Sequence, residues 1–236
     1  MIRALPAPVP AALLALLLVA PAAAAERRYS ITDFDRVEVT GPFEVVLTTG
    51  RAASARAAGS AAALDRVNID VQGTTLRIRP NRSAWGGYPG DATGPVHIEV
   101  GTRDLRTATV IGSGRLAIDR VKGLRVDLSV SGSGRLSVLQ VDADNLRLGV
   151  LGAGRISAAG NAKQVTASLQ GSGDLDAAAL LADDVKLTSD TAGTVAIAAR
   201  RTATVRATGA GDVEISGKPS CTVTGDAAGR VRCGGR

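Results

Sequence analysis

A Gly-small-Gly triplet that returns about every twenty residues constrains this chain more than any other feature. Gly112-Ser113-Gly114 recurs as Gly132-Ser133-Gly134, Gly152-Ala153-Gly154, Gly171-Ser172-Gly173 and Gly209-Ala210-Gly211. Weaker copies stand at Thr191-Ala192-Gly193 and Ala227-Ala228-Gly229, and the successive steps are 20, 20, 19, 20, 18 and 18 residues. An even period of this size marks a repeat architecture, in which one unit cannot bury its apolar face alone and must stack on its neighbours.

The flanks keep the same grid. Two residues past each triplet stand Leu116, Leu136, Ile156, Leu175, Val195, Val213 and Val231. Two further on stand Ile118, Val138, Ala158, Ala177, Ile197, Ile215 and Cys233. Ahead of the turns, Val126-Leu128-Val130 and Leu146-Leu148-Val150 alternate with polar or small residues such as Asp127, Ser129 and Arg147. Period two is the pattern of a strand with one buried face. Each unit therefore reads as strand, glycine turn, strand and a polar connector, such as 119–123 or 142–145. The glycines suit a tight arc that needs φ > 0. The fold expected is an all-β parallel β-helix, or solenoid, with rungs of 18–20 residues over 105–236. Seven rungs stacked at the inter-strand spacing would make a rod about 30 Å long. A seven-bladed propeller is the rival, but its blades need about 40 residues each.

Residues 26–104 precede the regular rungs and read as N-terminal β strands continuous with them. Residues 34–39 alternate, Gly41-Pro42 turns, and 43–48 form a second strand. A further pair, 67–71 and 75–79, flanks Gln72-Gly73, and Val96, Ile98 and Val100 alternate again. Residues 51–64 are Ala-rich and fit either a strand or a short helix.

The first 25 residues read as an address. Arg3 precedes the apolar run 11–20, Pro21 breaks it, and 22–25 offer small residues for cleavage between Ala25 and Glu26. That is the layout of a secretory signal peptide, and the run is shorter than the roughly 20 residues a membrane span requires. No later stretch is apolar enough to cross a bilayer. The mature chain is expected in the periplasm or secreted, and in that oxidising setting Cys221 and Cys233 read as a disulfide. Both fall on inward positions of the last rung. Opposed walls of a β core lie about 10 Å apart, whereas a bridge needs Cα atoms within about 7 Å, so that end has to narrow.

The order of features resembles the head GIN domain family: FDRVEVTGPFEVVLTTG at 34–50, LDRVNIDVQGTTLRIRP at 64–80, then the GSG repeats. The likeness spans nearly the whole mature chain and departs at Glu44, where the family is expected to carry Asn. It implies an exported bacterial protein with a β-helical fold, named for auto-transporter adhesins, and it carries over no catalytic residues.

Candidate sites follow from the grid. Arg115, Arg135 and Arg155 succeed the turn in three consecutive rungs and should form a column about 5 Å apart. The same position then holds Asp174, Asp212 and Arg230. The column is either a solvated edge or a site for lipopolysaccharide head groups or acidic glycans. Trp85 and Tyr88, in the 81–94 loop, could stack on a sugar or another envelope protein, or fold back as a cap. His97 alternates with Val96 and Ile98 and faces solvent. A single His and two Cys exclude a zinc finger and a multi-His metal site, and no metal or cofactor is expected. An aromatic content of 2% argues against a nucleic-acid stacking platform, and the formal charge of +6 is spread along the chain. A carbohydrate-active β-helix enzyme, a lyase or hydrolase, would need convergent acids in a groove. The pairs Asp183-Asp184 and Asp142 with Asp144 show no such convergence in sequence. The reading is an exported, non-enzymatic envelope protein with a binding, adhesive or scaffolding role.

Overall fold

Alternating apolar side chains hold the backbone extended, and the twenty-residue period lets each turn of chain hydrogen-bond to the turn before it. The computed structural model describes residues 25–81, 95–227 and 230–235. Its strands are β1 (Ala25–Tyr29), β2 (Arg36–Thr40), β3 (Glu44–Thr48), β4 (Ser54–Gly59), β5 (Val67–Gln72), β6 (Thr75–Pro80), β7 (His97–Gly101) and β8 (Thr107–Gly112). They continue as β9 (Arg115–Gly132), β10 (Arg135–Gly152), β11 (Arg155–Gly171), β12 (Asp174–Thr191), β13 (Val195–Ala207), β14 (Val213–Gly217), β15 (Ser220–Thr224) and β16 (Val231–Gly235). One short helix, α1 (Ala61–Asp65), interrupts them. The result is a β-solenoid of about six turns, with the N-terminal strands joined to the same sheet. Among the described residues no helix is long and apolar enough to cross a membrane.

Parallel register piles like on like. Ile98, Val45, Leu116, Leu136, Ile156, Leu175, Val195 and Val213 form one buried file. Burying each such side chain contributes about 1.5–3 kcal/mol, so a file of this length is a large part of the driving force.

The connectors are not loops. Segments 119–123 and 142–145 are extended, the first paired with the rung above it and the second with the rungs on both sides, so β9 to β12 each run unbroken from one glycine turn to the next. The reason lies in Val121, Val141 and Ala143, which point inward and are buried. They give the core a third wall. In β10 the faces are Leu136 with Val138, then Val141 with Ala143, then Leu146, Leu148 and Val150. Corners fall where two successive side chains stay out of the core, at Leu139-Gln140 and at Asp144-Asn145.

The two glycines of a turn differ in φ. Gly112, Gly132, Gly152 and Gly171 take φ between +96° and +113°, as a left-handed turn demands. Their partners do not. At 132–134 both glycines are pressed against the rung beneath: a Cβ at Gly132 would lie 2.7 Å from the Gly112 carbonyl oxygen, and one at Gly134 2.7 Å from Val110 Cγ1 and 2.8 Å from the Gly114 carbonyl oxygen. At 191–193 the first glycine is replaced by Thr191, which is buried. Its hydroxyl donates to the Gly173 carbonyl at 2.8 Å and accepts from the Gly193 N–H at 3.0 Å.

Each end is closed differently. β2 and β3 form a full rung beneath β8 and β9, and β6 and β7 lie beneath that. There the strands turn antiparallel: β5 on β6, β4 on β7 and β1 on β4. The Ala-rich 51–64 segment divides into β4 and α1, and α1 buries Ala63 and Leu64 against the core. Ser60 caps the helix, its hydroxyl accepting the Ala63 N–H at 3.1 Å. At the other end Cys221 and Cys233 are bridged with Cα atoms 6.6 Å apart. Narrowing makes this possible. The middle wall shrinks to Ala198 and Ala199 in β13, and by β14 and β15 only Lys218 and Pro219 separate the two flanking walls.

Two stability measurements check this architecture. Gly134→Ala is expected to lose about 1–3 kcal/mol by overpacking, whereas Gly149→Ala, whose Cβ meets nothing closer than 3.7 Å, changes stability by less than about 0.5 kcal/mol. Urea denaturation of the two variants gives the comparison. Reduction, or Cys221→Ser, is expected to remove about 3 kcal/mol and to speed hydrogen exchange first in β14 to β16.

Candidate functional site

The first wall of the solenoid carries the column foreseen from the grid. Arg115, Arg135 and Arg155 stand in register on β9, β10 and β11, with exposed side chains. The column extends in both directions. Glu44 of β3 pairs beneath Arg115, His97 of β7 lies beneath Glu44, and Asp174 of β12 follows Arg155.

Both ends of the arginine run are engaged by acids. Glu44 lies between two bases: Oε1 is 3.3 Å from Arg115 Nη1 and Oε2 is 3.0 Å from His97 Nδ1. Asp174 Oδ2 accepts from Arg155 Nη2 at 2.6 Å and Nε at 3.2 Å. Its Oδ1 accepts the Thr194 N–H at 2.9 Å and the Thr194 hydroxyl at 3.0 Å. The Thr194 N–H foremost, and then the Arg155 guanidinium, hold the Asp174 carboxyl below the usual carboxylate range. The same contact raises Arg155 above its ordinary value. Arg135 sits between two like charges, and among the described residues no acid faces it.

This run departs from the other registered pairs of β9 to β13. At the second corner Asp144, Lys163 and Asp183 alternate in sign, with Lys163 Nζ 2.7 Å from Asp144 Oδ1 and raised above the usual lysine value by that hydrogen bond. Lys122 meets Asp142, Arg147 meets Asp127, Arg200 meets Asp183 and Arg201 meets Asp184. Among the registered pairs of β9 to β13, like charges face each other only at Arg115–Arg135 and Arg135–Arg155.

Beside the column runs a row of smaller side chains: Val46, Ala117, Ser137 and Ser157. The step from arginine to small residue leaves a groove of about 600 Å³, lined by the three arginines and, toward its lower end, by Glu44, His97 and Glu99. The small row is closed at its ends by Glu99, beneath Val46, and Asp176, above Ser157. A separate hollow of about 510 Å³ lies against β1, β4 and β7. Two of its bases are already engaged, Arg28 by Glu26 and Arg56 by Glu26 and Glu99.

The other sequence candidates fall elsewhere. Trp85 and Tyr88, like the segment 1–24, lie outside the described residues. Ala25 and Glu26 begin β1. Cys221 and Cys233 belong to the C-terminal closure, far along the chain from the groove. Asp142, Asp144, Asp183 and Asp184 are each spent on a base of a neighbouring rung. Sequence reasoning missed Glu44 and His97 as the lower end of the column. Gly41-Pro42-Phe43 breaks the Gly-small-Gly pattern, yet it holds the same place relative to Glu44 as Gly112-Ser113-Gly114 holds to Arg115.

Comparison with known proteins agrees with the fold. The family model described as putative auto-transporter adhesin, head GIN domain, matches residues 33–219. A solved structure of a putative adhesin from Bacteroides fragilis NCTC 9343 superposes with a TM-score of 0.78 at 17% identity, covering 87% of this chain and 95% of that one. A putative adhesin from Parabacteroides distasonis ATCC 8503 gives 0.67 at 18% identity, with 89% and 95% covered. A putative lipid binding protein from the same organism gives 0.66 at 19% identity, with 86% and 94% covered. At these identities the likeness establishes the fold. No curated protein matches the chain in sequence.

Asp174 ties three rungs together, and its pKa shift fixes the sign of a pH effect. A carboxyl whose folded pKa is depressed contributes stability that is complete above the ordinary carboxylate range and is lost as pH falls through the folded value. Asp174→Ala is therefore expected to lower stability by about 1–2 kcal/mol at neutral pH. Urea midpoints of variant and parent should converge as the pH is taken down through the carboxylate range.

Proposed function

The chain belongs to the head GIN domain family, and on that premise we propose that it is an exported, non-enzymatic binding protein of the bacterial envelope that holds anionic glycan groups on its first wall. The observation that carries the reading is Arg135. A protein selected only for stability has no use for an exposed cation between two others, because each neighbour at this spacing repels it by about 1 kcal/mol in water. A bound anion converts that repulsion into charge-assisted hydrogen bonds. The Ser137 and Ser157 hydroxyls alongside supply neutral donors and acceptors of the kind a sugar needs. The Cys221–Cys233 bridge is consistent with an oxidising compartment, as is the apolar N-terminal segment with its small-residue cleavage site. The solved relative described as lipid binding fits a related chemistry, since lipid head groups also present anions. A non-enzymatic role accords with the engagement of the carboxylates at the groove, Glu44 by Arg115 and His97 and Glu99 by Arg56, and with the pairing of Asp142, Asp144, Asp183 and Asp184 to bases elsewhere.

The test uses the mature chain on a heparin column. Replacing Arg115, Arg135 and Arg155 together by Ser is expected to move elution to clearly lower salt, with folding checked by circular dichroism. Unchanged retention would remove the arginine column from the binding surface.

A further inference from the structure

Resting on the anionic-glycan reading, the geometry points to a closed site for one anionic group centred on Arg135, and not to a track along which a polyanion lies.

Charge balance is the first ground. Glu44, Arg115, Arg135, Arg155 and Asp174 stand in one file, and their formal charges sum to a single positive charge. The outer arginines are each satisfied from outside the run, Arg115 by Glu44 and Arg155 by Asp174. The surplus belongs to the middle row. Arg115 and Arg155 then act as flanking donors that turn toward an anion already held by Arg135.

Length is the second ground. The three arginines span about 10 Å of solenoid axis at the inter-strand spacing, the reach of a very short saccharide. Beyond them lie acids in both rows: Glu44 and Glu99 on one side, Asp174 and Asp176 on the other. Each subsequent anionic unit of a polymer laid along the axis would meet a carboxylate. The groove floor changes character along the same line, from the exposed Val46 and Ala117 to Ser137 and Ser157. An acidic sugar seated at Arg135 therefore meets hydroxyls on one side and an apolar step on the other. The ligand class is a terminal or isolated uronic-acid-type sugar bearing one carboxylate.

Oligogalacturonates test this, because they carry one carboxylate per sugar and can be taken as monomer, trimer and hexamer. NMR titration of the mature chain with each reads weak binding directly. We expect dissociation constants that agree within about threefold across the three lengths, since added carboxylates face acids instead of bases. Arg135→Ser should weaken the monomer by at least about tenfold, the loss of a charged hydrogen-bonded contact. Arg115→Ser and Arg155→Ser should each weaken it by less than about threefold, as those groups retain partners in the free protein. Affinity that climbs tenfold or more from monomer to trimer, with equal losses at all three arginines, overturns the single-anion site and leaves the anionic-glycan reading standing. Absence of any galacturonate binding at millimolar concentration, together with heparin retention that the triple substitution does not alter, overturns both.

Discussion

Everything in this molecule depends on how closely one turn of backbone can lie on the next. Parallel strands hydrogen-bond at about 4.8 Å, and a corner that bulges by a single methyl group would force two rungs apart. The glycine turns meet that limit in two ways. At Gly112, Gly132, Gly152 and Gly171 the first glycine bends the chain through positive φ, and at 132–134, 152–154 and 171–173 both glycines remove a Cβ that would strike the rungs below. Thr191 shows that the constraint is geometric and not a demand for glycine as such. There the chain keeps negative φ, and a buried hydroxyl bonded to Gly173 and Gly193 knits the turn instead. Once the rungs are held at that spacing, residues eighteen to twenty apart become vertical neighbours. Core files and surface ladders are then the same fact viewed from opposite sides of the wall.

A stack of this kind has two open ends, and each would present unpaired strand edges and apolar side chains to water. The two closures match the local resources. At the N-terminal end the chain has length to spare, so it reverses into antiparallel strands, sets α1 across the core, and lines the outermost strand β1 with Glu26, Arg27 and Arg28. Arg27 reaches back to Asp65 at 2.7 Å and to the Leu64 carbonyl, tying that strand to the end of the helix. At the C-terminal end the rungs shorten until the walls are near enough for a covalent bridge. Cys221 and Cys233 sit over Ala203 and Ile215, so the bridge continues the core upward as it closes it.

Much of this was legible in the sequence because the period is even and the glycines are distinctive. The inward positions Leu116, Leu136 and Ile156 and the arginine column follow from counting along the grid, and the pairing of the two cysteines follows from the oxidising compartment expected of an exported chain. Three features resisted. The connectors looked polar because Asp119, Arg120, Lys122, Asp142 and Asp144 dominate them; the inward Val121, Val141 and Ala143 are too few and too small to announce a strand, yet they build a wall. The lower end of the column was hidden because Gly41-Pro42-Phe43 replaces the triplet, so Glu44 and His97 fell off the grid although they share its register. The antiparallel cap could not be read at all from periodicity, since alternation in β4 or β5 says that one face is buried and nothing about which neighbour covers it.

The surface ladders obey the same stacking as the core. In-register stacking multiplies whatever charge occupies a grid position, so a solenoid either alternates signs along its columns or tolerates repulsion. At the second corner this chain alternates, with Asp144, Lys163 and Asp183 in succession. On the first wall it sets three arginines in a row and then places Glu44 and Asp174 where they quiet the outer two. Had the purpose been to remove repulsion, one acid or hydroxyl at position 135 would have sufficed, and a single-residue change is the simplest that a repeat can make. Instead the acids stand at the borders and leave the centre charged. That placement, an unengaged cation between two engaged ones with carboxylates past both, is the feature on which the proposed single-anion site rests.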